Sequence, residues 1–283
     1  MIAVACLKWV DTWPDAATVL SDGAPDGRFA GVSAADRAAL EWALRTRDAQ
    51  VAEGQAGIPV VAVTVGPAGA DAVLRDALAC GADRAIRIDL PFGTPSRSVA
   101  AAIAGSLRYL LDAVSTIWCG DHSFDRGTGS VPAYLAGELG VAQALGLVAV
   151  EHEVGTISAL RRLDGGRRER LSIVGAAVLS VEGSTAMLRR APLRGLLGRP
   201  AIEVVAGDVV TSAAVASANS LESRPYRPRA RTYAPPSGRT ALERVKALTA
   251  AGAAVAHGET VTLEPDAAAD RILAALREWD YLP

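Results

Sequence analysis

The chain has 283 residues, half of them hydrophobic, with a formal net charge of −2. That length and apolar content suffice for a full core and argue against global disorder, so one large domain, or a domain with an extension, fits. The near-neutral charge excludes a broad nucleic-acid footprint, which needs a basic face. The opening MIAVACLKWVD reads as a short strand, Ile2–Leu7. It has no basic stretch ahead of it and is interrupted at Lys8 and Asp11, so it is not read as a signal peptide, and a soluble cytoplasmic protein is expected. Next come a long helix, Ala34–Ala52, and a β-branched run, Pro59–Val65, that reads as a strand buried on both faces. A helix over Asp71–Cys80 closes at Gly81, followed by a strand over Arg84–Ile88 and a helix over Ser96–Val114. Ile117–Cys119 ends a buried strand at Gly120, and Ala133–Leu139 forms a helix closed by Gly140. Pro132, Glu138, Gln143 and three glycines break Val131–Val150 too often for a membrane span.

This alternation predicts a doubly wound α/β fold with a mostly parallel sheet and helices on both faces. Glu151–Arg161 and Leu171–Leu179 read as strands paired around a Gly165-Gly166 turn, which adds a small antiparallel edge. Arg161, Arg162, Arg167, Arg168 and Arg170 around that turn read as a solvated face. After Ala206 the chain becomes Ala/Ser-rich, then Pro/Arg-rich from Arg224 to Arg239, and closes in a helix over Asp266–Trp279. Ile272, Leu273, Leu276 and Trp279 give that helix an apolar stripe. The expected organisation is a domain over 1–205 and an arm over 206–283 that lies on another surface.

In open sheets of this type ligands bind beyond the C-terminal strand ends. Three small-residue loops gather there, after Leu7, after Val65 and after Cys119. The last begins GDHSFDRGTGSV, from Gly120 to Val131, and is either a turn or an anion cradle. Gly127 and Gly129 permit close backbone approach, Thr128 and Ser130 offer hydroxyls, and Pro132 suits a first helical turn. Asp121 and Asp125 have no obvious histidine or lysine partner, so Asp125 is assigned to capping the loop or holding a ribose hydroxyl. Cys6, Cys80 and Cys119 are far apart and read as buried, unreactive thiols; His122, His152 and His257 are scattered, so no metal site is expected. GxGxxG, Walker and GxSxG patterns are missing. The pattern is nucleotide binding without catalytic residues.

The run VLRDALACGADRAIRID, with VVAVTVGP before it, resembles the β subunit of electron transfer flavoproteins, as do KWVD, SAADRAALEWALR and the Gly120–Gly140 segment. The resemblance spans roughly Met1–Glu203 and the terminal helix. It implies a heterodimer with an α subunit that carries most of the FAD contacts, electron acceptance from a dehydrogenase, and delivery to a membrane quinone reductase. It also implies structural AMP on this chain, contacted at Cys6, at Ser33, Ala34, Ala35 and Asp36, at Val65, and along the loop. The loop positions are Gly120, Asp121, His122, Ser123, Phe124, Asp125, Arg126, Gly127, Thr128, Gly129, Ser130 and Val131. A segment recognising the donor dehydrogenase is implied over Gly183–Pro200, where Ala191 takes a leucine's place and Leu193 or Leu196 substitutes. The chain departs from the family at Ser33-Ala34-Ala35, which replaces Asn-Pro-Phe, and at Asp121, which replaces lysine. A specialised member, similar to actinobacterial subunits of the mycofactocin redox system, is expected. Within the family the alternative is a bifurcating form with FAD in the same loop. Outside it, an ATP-using enzyme of related fold is disfavoured, because LKWVDTWPD after the first strand cannot wrap a triphosphate.

Overall fold

The computed structural model describes residues 1–12, 29–108, 114–153, 155–207, 236, 238–250, 260–279 and 281–282. The chain divides into two units, Met1–Ser223 and Arg224–Pro283. In the first, chain order runs β1 (Ile2–Cys6), β2 (Val10–Asp11), β3 (Ala30–Gly31), α1 (Ala34–Ala52), β4 (Val60–Val65), α2 (Asp71–Cys80), β5 (Arg84–Asp89) and α3 (Ser96–Leu107). It continues with β6 (Val114–Gly120), α4 (Ser130–Leu139), β7 (Ala142–Glu153), β8 (Thr156–Arg162), β9 (Arg168–Ile173), β10 (Ala177–Val181), α5 (Leu193–Leu197) and β11 (Glu203–Ala206).

One sheet takes the order β11-β5-β4-β1-β6-β10-β7-β8-β9, and β2 pairs with β3 apart from it. Pairing is parallel from β11 through to β7 and antiparallel for β7–β8 and β8–β9. The fold is therefore the expected doubly wound α/β type with an antiparallel edge. Alternate residues of each inner strand enter opposite cores, which is why these strands are apolar throughout. Ala3, Ala5, Val60 and Ala62 pack with Ala38, Leu44, Leu74 and Ala77 of α1 and α2. Val4, Val61 and Val63 pack on the other face with Ile103, Leu107, Leu135 and Ala136 of α3 and α4.

Three boundaries differ from expectation. The predicted helix 96–114 contains Leu107, but Val114 already belongs to β6, where it pairs beside Ile2. Glu151–Arg161 is not one strand: Gly155 turns the chain between β7 and β8. Leu171–Leu179 is also two, because Gly175 separates β9 from β10. β10 leaves the antiparallel edge entirely and lies between β6 and β7, with all five residues buried. Its AVLSV sequence suits a two-faced inner position better than an edge.

The second unit, over its described residues, contains α6 (Ala241–Ala250) and α7 (Pro265–Glu278). Thr240 and Glu243 form a reciprocal cap at the start of α6, through Glu243 N to Thr240 Oγ1 at 3.2 Å and Thr240 N to Glu243 Oε2 at 3.1 Å. On and just after α7, Ile272, Leu273 and Trp279 are exposed. The Pro/Arg-rich segment expected over Arg224–Arg239 lies outside the described residues through position 235.

Candidate functional site

A crevice of about 110 Å³ opens where β1, β4 and β6 end. Its apolar side is formed by Cys6, Val65, Val99, Ile103, Cys119 and Val131, and its polar side by Lys8, Ser123, Arg126, Thr128, Gly129 and Ser130. Of the predicted residues, Asp36, Gly120 and His122 also line it. Asp121, Phe124, Asp125 and Gly127 belong to the same loop but are not on the wall of this crevice. Ser33, Ala34 and Ala35 stand behind it. Ser33 caps α1 by accepting from Asp36 N at 3.0 Å, and a side-chain carbon on Gly120 would meet Ala35 Cβ at 3.0 Å.

Sequence reasoning missed two contributors. The loop after β5 supplies Thr94 and Ser96 at the mouth of α3, a fourth strand-end loop whose signal was the turn-rich PFGTPSRS. Lys8 is the other. Its Nζ lies 2.7 and 2.6 Å from the two carboxylate oxygens of Asp125 and 3.4 Å from Ser123 Oγ. Asp125 therefore does have a lysine partner, and Asp121 has His122, with Oδ1 2.8 Å from Nδ1. Asp125 also accepts from Arg126 N at 2.8 Å, the backbone cap expected of it. Burial pushes the Asp125 carboxyl up, but the bonds from Lys8, Ser123 and Arg126 outweigh this and hold it below its ordinary range.

Asp36 behaves oppositely. Burial lifts its carboxyl to about 7, although the backbone N–H groups of Lys8 and Gly120 both donate to it. The Lys8 bond is 2.9 Å, so one carboxyl ties the ends of β1 and β6 to the first turn of α1. The thiols of Cys6 and Cys119, distant in sequence, share a hydrogen bond on the crevice floor; that bond and burial push Cys119 up. The loop is folded by Gly127 N donating to Ser123 O at 3.0 Å and by Asp121 N donating to Val181 O at 3.0 Å. Gly129 sits at φ +56°, and a side-chain carbon there would collide with Asp121 O. α4 begins at Ser130, so Pro132 occupies its first turn, and Ser130, Val131 and Pro132 bring the helix's N-terminal end to the crevice.

The segment from Gly183 to Pro200 is built differently. Arg189 donates to both carboxylate oxygens of Glu41, at 3.0 and 3.1 Å, and pairs with Asp48 at 2.8 Å. Burial raises Glu41, but Arg189 and Arg45 overcome it and hold the carboxyl below its ordinary value. Gly195 lets α5 touch α2, since a side-chain carbon there would sit 2.6 Å from Ala79 O. Ala191 and Leu196 line a cavity of about 150 Å³ between this segment, α1 and α2. Leu193, Leu197 and Met187 face water, at 71%, 74% and 87% exposure.

The electron transfer flavoprotein domain model matches residues 26–209, a span that includes three of the crevice loops and the Gly183–Pro200 segment. The chain belongs to the electron transfer flavoprotein family. It is 32% identical over 168 residues to the electron transfer flavoprotein subunit beta of Mycobacterium tuberculosis, covering 58% of this chain and 62% of that one. Against the subunit beta of Chromohalobacter salexigens the identity is 31% over 218 residues, 75% and 77% of the two chains. Against that of Methylophilus methylotrophus it is 28% over 214 residues, 73% and 77%. The chain thus matches less than two thirds of the length of the Mycobacterium tuberculosis and Mycobacterium bovis relatives, and identities near 30% mark a divergent β subunit. Among the described residues no helix is long and apolar enough to cross a membrane.

Proposed function

We propose that the chain is the β subunit of a heterodimeric electron transfer flavoprotein, an electron carrier without an active site of its own. AMP occupies the crevice as a structural ligand, its phosphate against Thr128, Ser130 and the backbone around Gly127 and Gly129. FAD sits mainly on the α subunit. Electrons arrive from a dehydrogenase that docks on Gly183–Pro200 and leave to a membrane quinone reductase, with the pair in the cytoplasm. One observation carries this reading: the carboxylates around the crevice are engaged in structural bonds. Asp125 is held by Lys8, Asp121 by His122, and Asp36 by two backbone amides. Lys8, Arg126 and His122 also face the crevice but are tied to Asp125, Gly93 O and Asp121, and the rest of the lining is apolar surface, hydroxyls and backbone, which bind a nucleotide without transforming it.

The same reading makes the second unit an arm on the α subunit, with the exposed Ile272, Leu273 and Trp279 as its contact. The deciding experiment is mass spectrometry of the ligand released from the purified complex, together with the spectrum of the lone chain. AMP in stoichiometric amount and a colourless lone chain are expected; a yellow lone chain overturns the assignment. Deleting Arg224–Pro283 weakens co-purification with the α subunit while the sheet stays folded, and undiminished co-purification refutes the arm.

A further inference from the structure

Cys6 or Cys119 alone would be an inert buried thiol, but the sheet makes them neighbours. β1 pairs with β6 in parallel with Ala5 opposite Trp118, so the next residue of each strand brings Cys6 beside Cys119. Both side chains lie on one face of the sheet, in the apolar cluster that also holds Val4 and Ile117. Their sulfurs share a hydrogen bond, and that bond, with burial, keeps the proton on Cys119. Adjacent strands lie about 4.8 Å apart, within the Cα separation of roughly 4.4–6.8 Å that a disulfide spans. The β1–β6 pairing runs to Ala5 and Trp118 and stops there, so the two cysteines can draw together without breaking it. Both also line the crevice, at 9% and 4% exposure, which gives a small solute a path to them. Cys80, the third thiol, packs with the cluster on the opposite face and donates to Arg189 O at 3.5 Å.

We propose that Cys6 and Cys119 form a reversible redox switch: hydrogen peroxide joins them by a disulfide, and the crevice then loses affinity for its ligand. The loss of affinity rests on the reading that the Gly120–Val131 loop holds a nucleotide; the disulfide itself does not. Cys6 is the more exposed of the two and reacts first. Its sulfur attacks a peroxide oxygen, the O–O bond breaks, and the leaving hydroxide takes the thiol proton as water, which leaves a sulfenic acid on Cys6. The Cys119 sulfur then attacks the Cys6 sulfur. The S–S bond forms, the S–O bond breaks, and the second hydroxide leaves as water with the Cys119 proton. Two thiols have thus supplied the two electrons that reduce one peroxide, and exchange with a small dithiol reverses the bond. The tie acts on the loop through both of its roots. Cys119 precedes Gly120, whose N–H donates to Asp36. Cys6 stands two residues before Lys8, whose N–H donates to Asp36 and whose Nζ holds Asp125. Closing the sulfurs to a covalent bond of about 2.05 Å shifts both roots and reshapes the crevice floor.

The test uses the full chain with AMP as the probe, compared when reduced, after hydrogen peroxide, and after peroxide followed by dithiothreitol. Thiols titrated in denaturant should fall from three to one as the pair is consumed, then return to three. Peptide mapping by mass spectrometry should place the link between Cys6 and Cys119 and leave Cys80 free. Isothermal titration calorimetry should show AMP binding about tenfold weaker in the oxidised chain and recovered by dithiothreitol. Cys6→Ser, with Cys119→Ser as a second variant should the first misfold, should have an AMP affinity that peroxide does not change. Either variant also separates the switch from oxidation of the exposed Met187. Absence of the Cys6–Cys119 link, a link that leaves AMP affinity unchanged, or a peroxide effect that survives in the serine variants overturns the proposal and leaves the nucleotide reading intact. A reduced chain that does not bind AMP refutes the nucleotide reading, and the switch with it.

Discussion

Two segments leave the same end of the sheet after neighbouring parallel strands, and they use their residues in opposite ways. After β6, the Gly120–Ser130 loop turns its polar groups inward, into the Lys8–Asp125, His122–Asp121 and Ser123–Gly127 bonds. After β10, the Gly183–Pro200 segment uses its polar groups as anchors, chiefly Arg189 on Glu41, and turns Met187, Leu193 and Leu197 to water. The first arrangement encloses a volume of about 110 Å³, the kind of space that suits a small molecule. The second leaves exposed apolar area, the kind of surface that suits a macromolecular contact. Positive-φ glycines stand in the first and solvent-exposed hydrophobic surface in the second, so substitutions in the two should fail differently.

The largest effect belongs to Gly129→Val. It forces a β-branched residue to φ +56° against Asp121 O and removes the close backbone approach at the loop. Conformational strain of about 1–2 kcal/mol and loss of a ligand worth roughly 2.7 kcal/mol at a hundred times its dissociation constant combine to about 4 kcal/mol. Differential scanning calorimetry and nucleotide content should fall together, while an assembled complex keeps its flavin chemistry. Unchanged values for both would reduce the loop to a turn.

Asp36 gives the next effect, and it depends on pH. Its carboxyl titrates near 7 in the fold and near 3.8 when unfolded. Between those values the unfolded chain has released the proton and the folded chain retains it, so stability declines as pH rises through this window and levels off above 7. The contribution is on the order of 2–4 kcal/mol, and Asp36→Asn should flatten it. Glu41 and Asp125, held below their ordinary values, act in the opposite sense at more acid pH, where their protonation costs stability. A variant whose melting temperature keeps the wild-type slope between pH 4.5 and 7.5 would show that Asp36 is not the group responsible.

Gly195→Val probes the anchoring of the second segment. Lifting α5 off Ala79 O costs roughly 1–3 kcal/mol by overpacking and should also displace the apolar residues beside it. Leu193→Lys with Leu197→Lys should change stability by less than about 0.5 kcal/mol, since both side chains are exposed, yet abolish docking of the donor dehydrogenase. Surface plasmon resonance against that dehydrogenase reads the second effect. Retained docking would remove this segment from the interface.

How much was legible follows from which interactions are local. The periods of β1, β4, α1 and α2 are set by two-faced burial and by the caps at Ser33 and Gly81, all within a few residues, and their limits were readable to within about a residue. The glycines and hydroxyls of the loop were readable for the same reason. β10 was hidden because AVLSV follows β9 after one turn and only its pairing with β6, far back in the chain, places it. Lys8 and Asp125 are 117 positions apart, and nothing near either residue announces the other. The Cys6–Cys119 contact is of the same kind, arising because β1 and β6 are adjacent.

The position of β10 has a consequence for the order in which the chain can assemble. β7, β8 and β9 are consecutive antiparallel strands, and their short-range contacts can form as soon as they exist. β6 is already committed to β1 on one side, and its other side waits for a strand that comes later than β9. Backbone pairing between the two halves of the sheet therefore runs through the five residues of β10, which have parallel neighbours on both sides. A nascent chain that has reached only Ile173 lacks the strand that pairs with the β10-facing edges of β6 and β7, so those edges have no native partner until Ala177–Val181 follows.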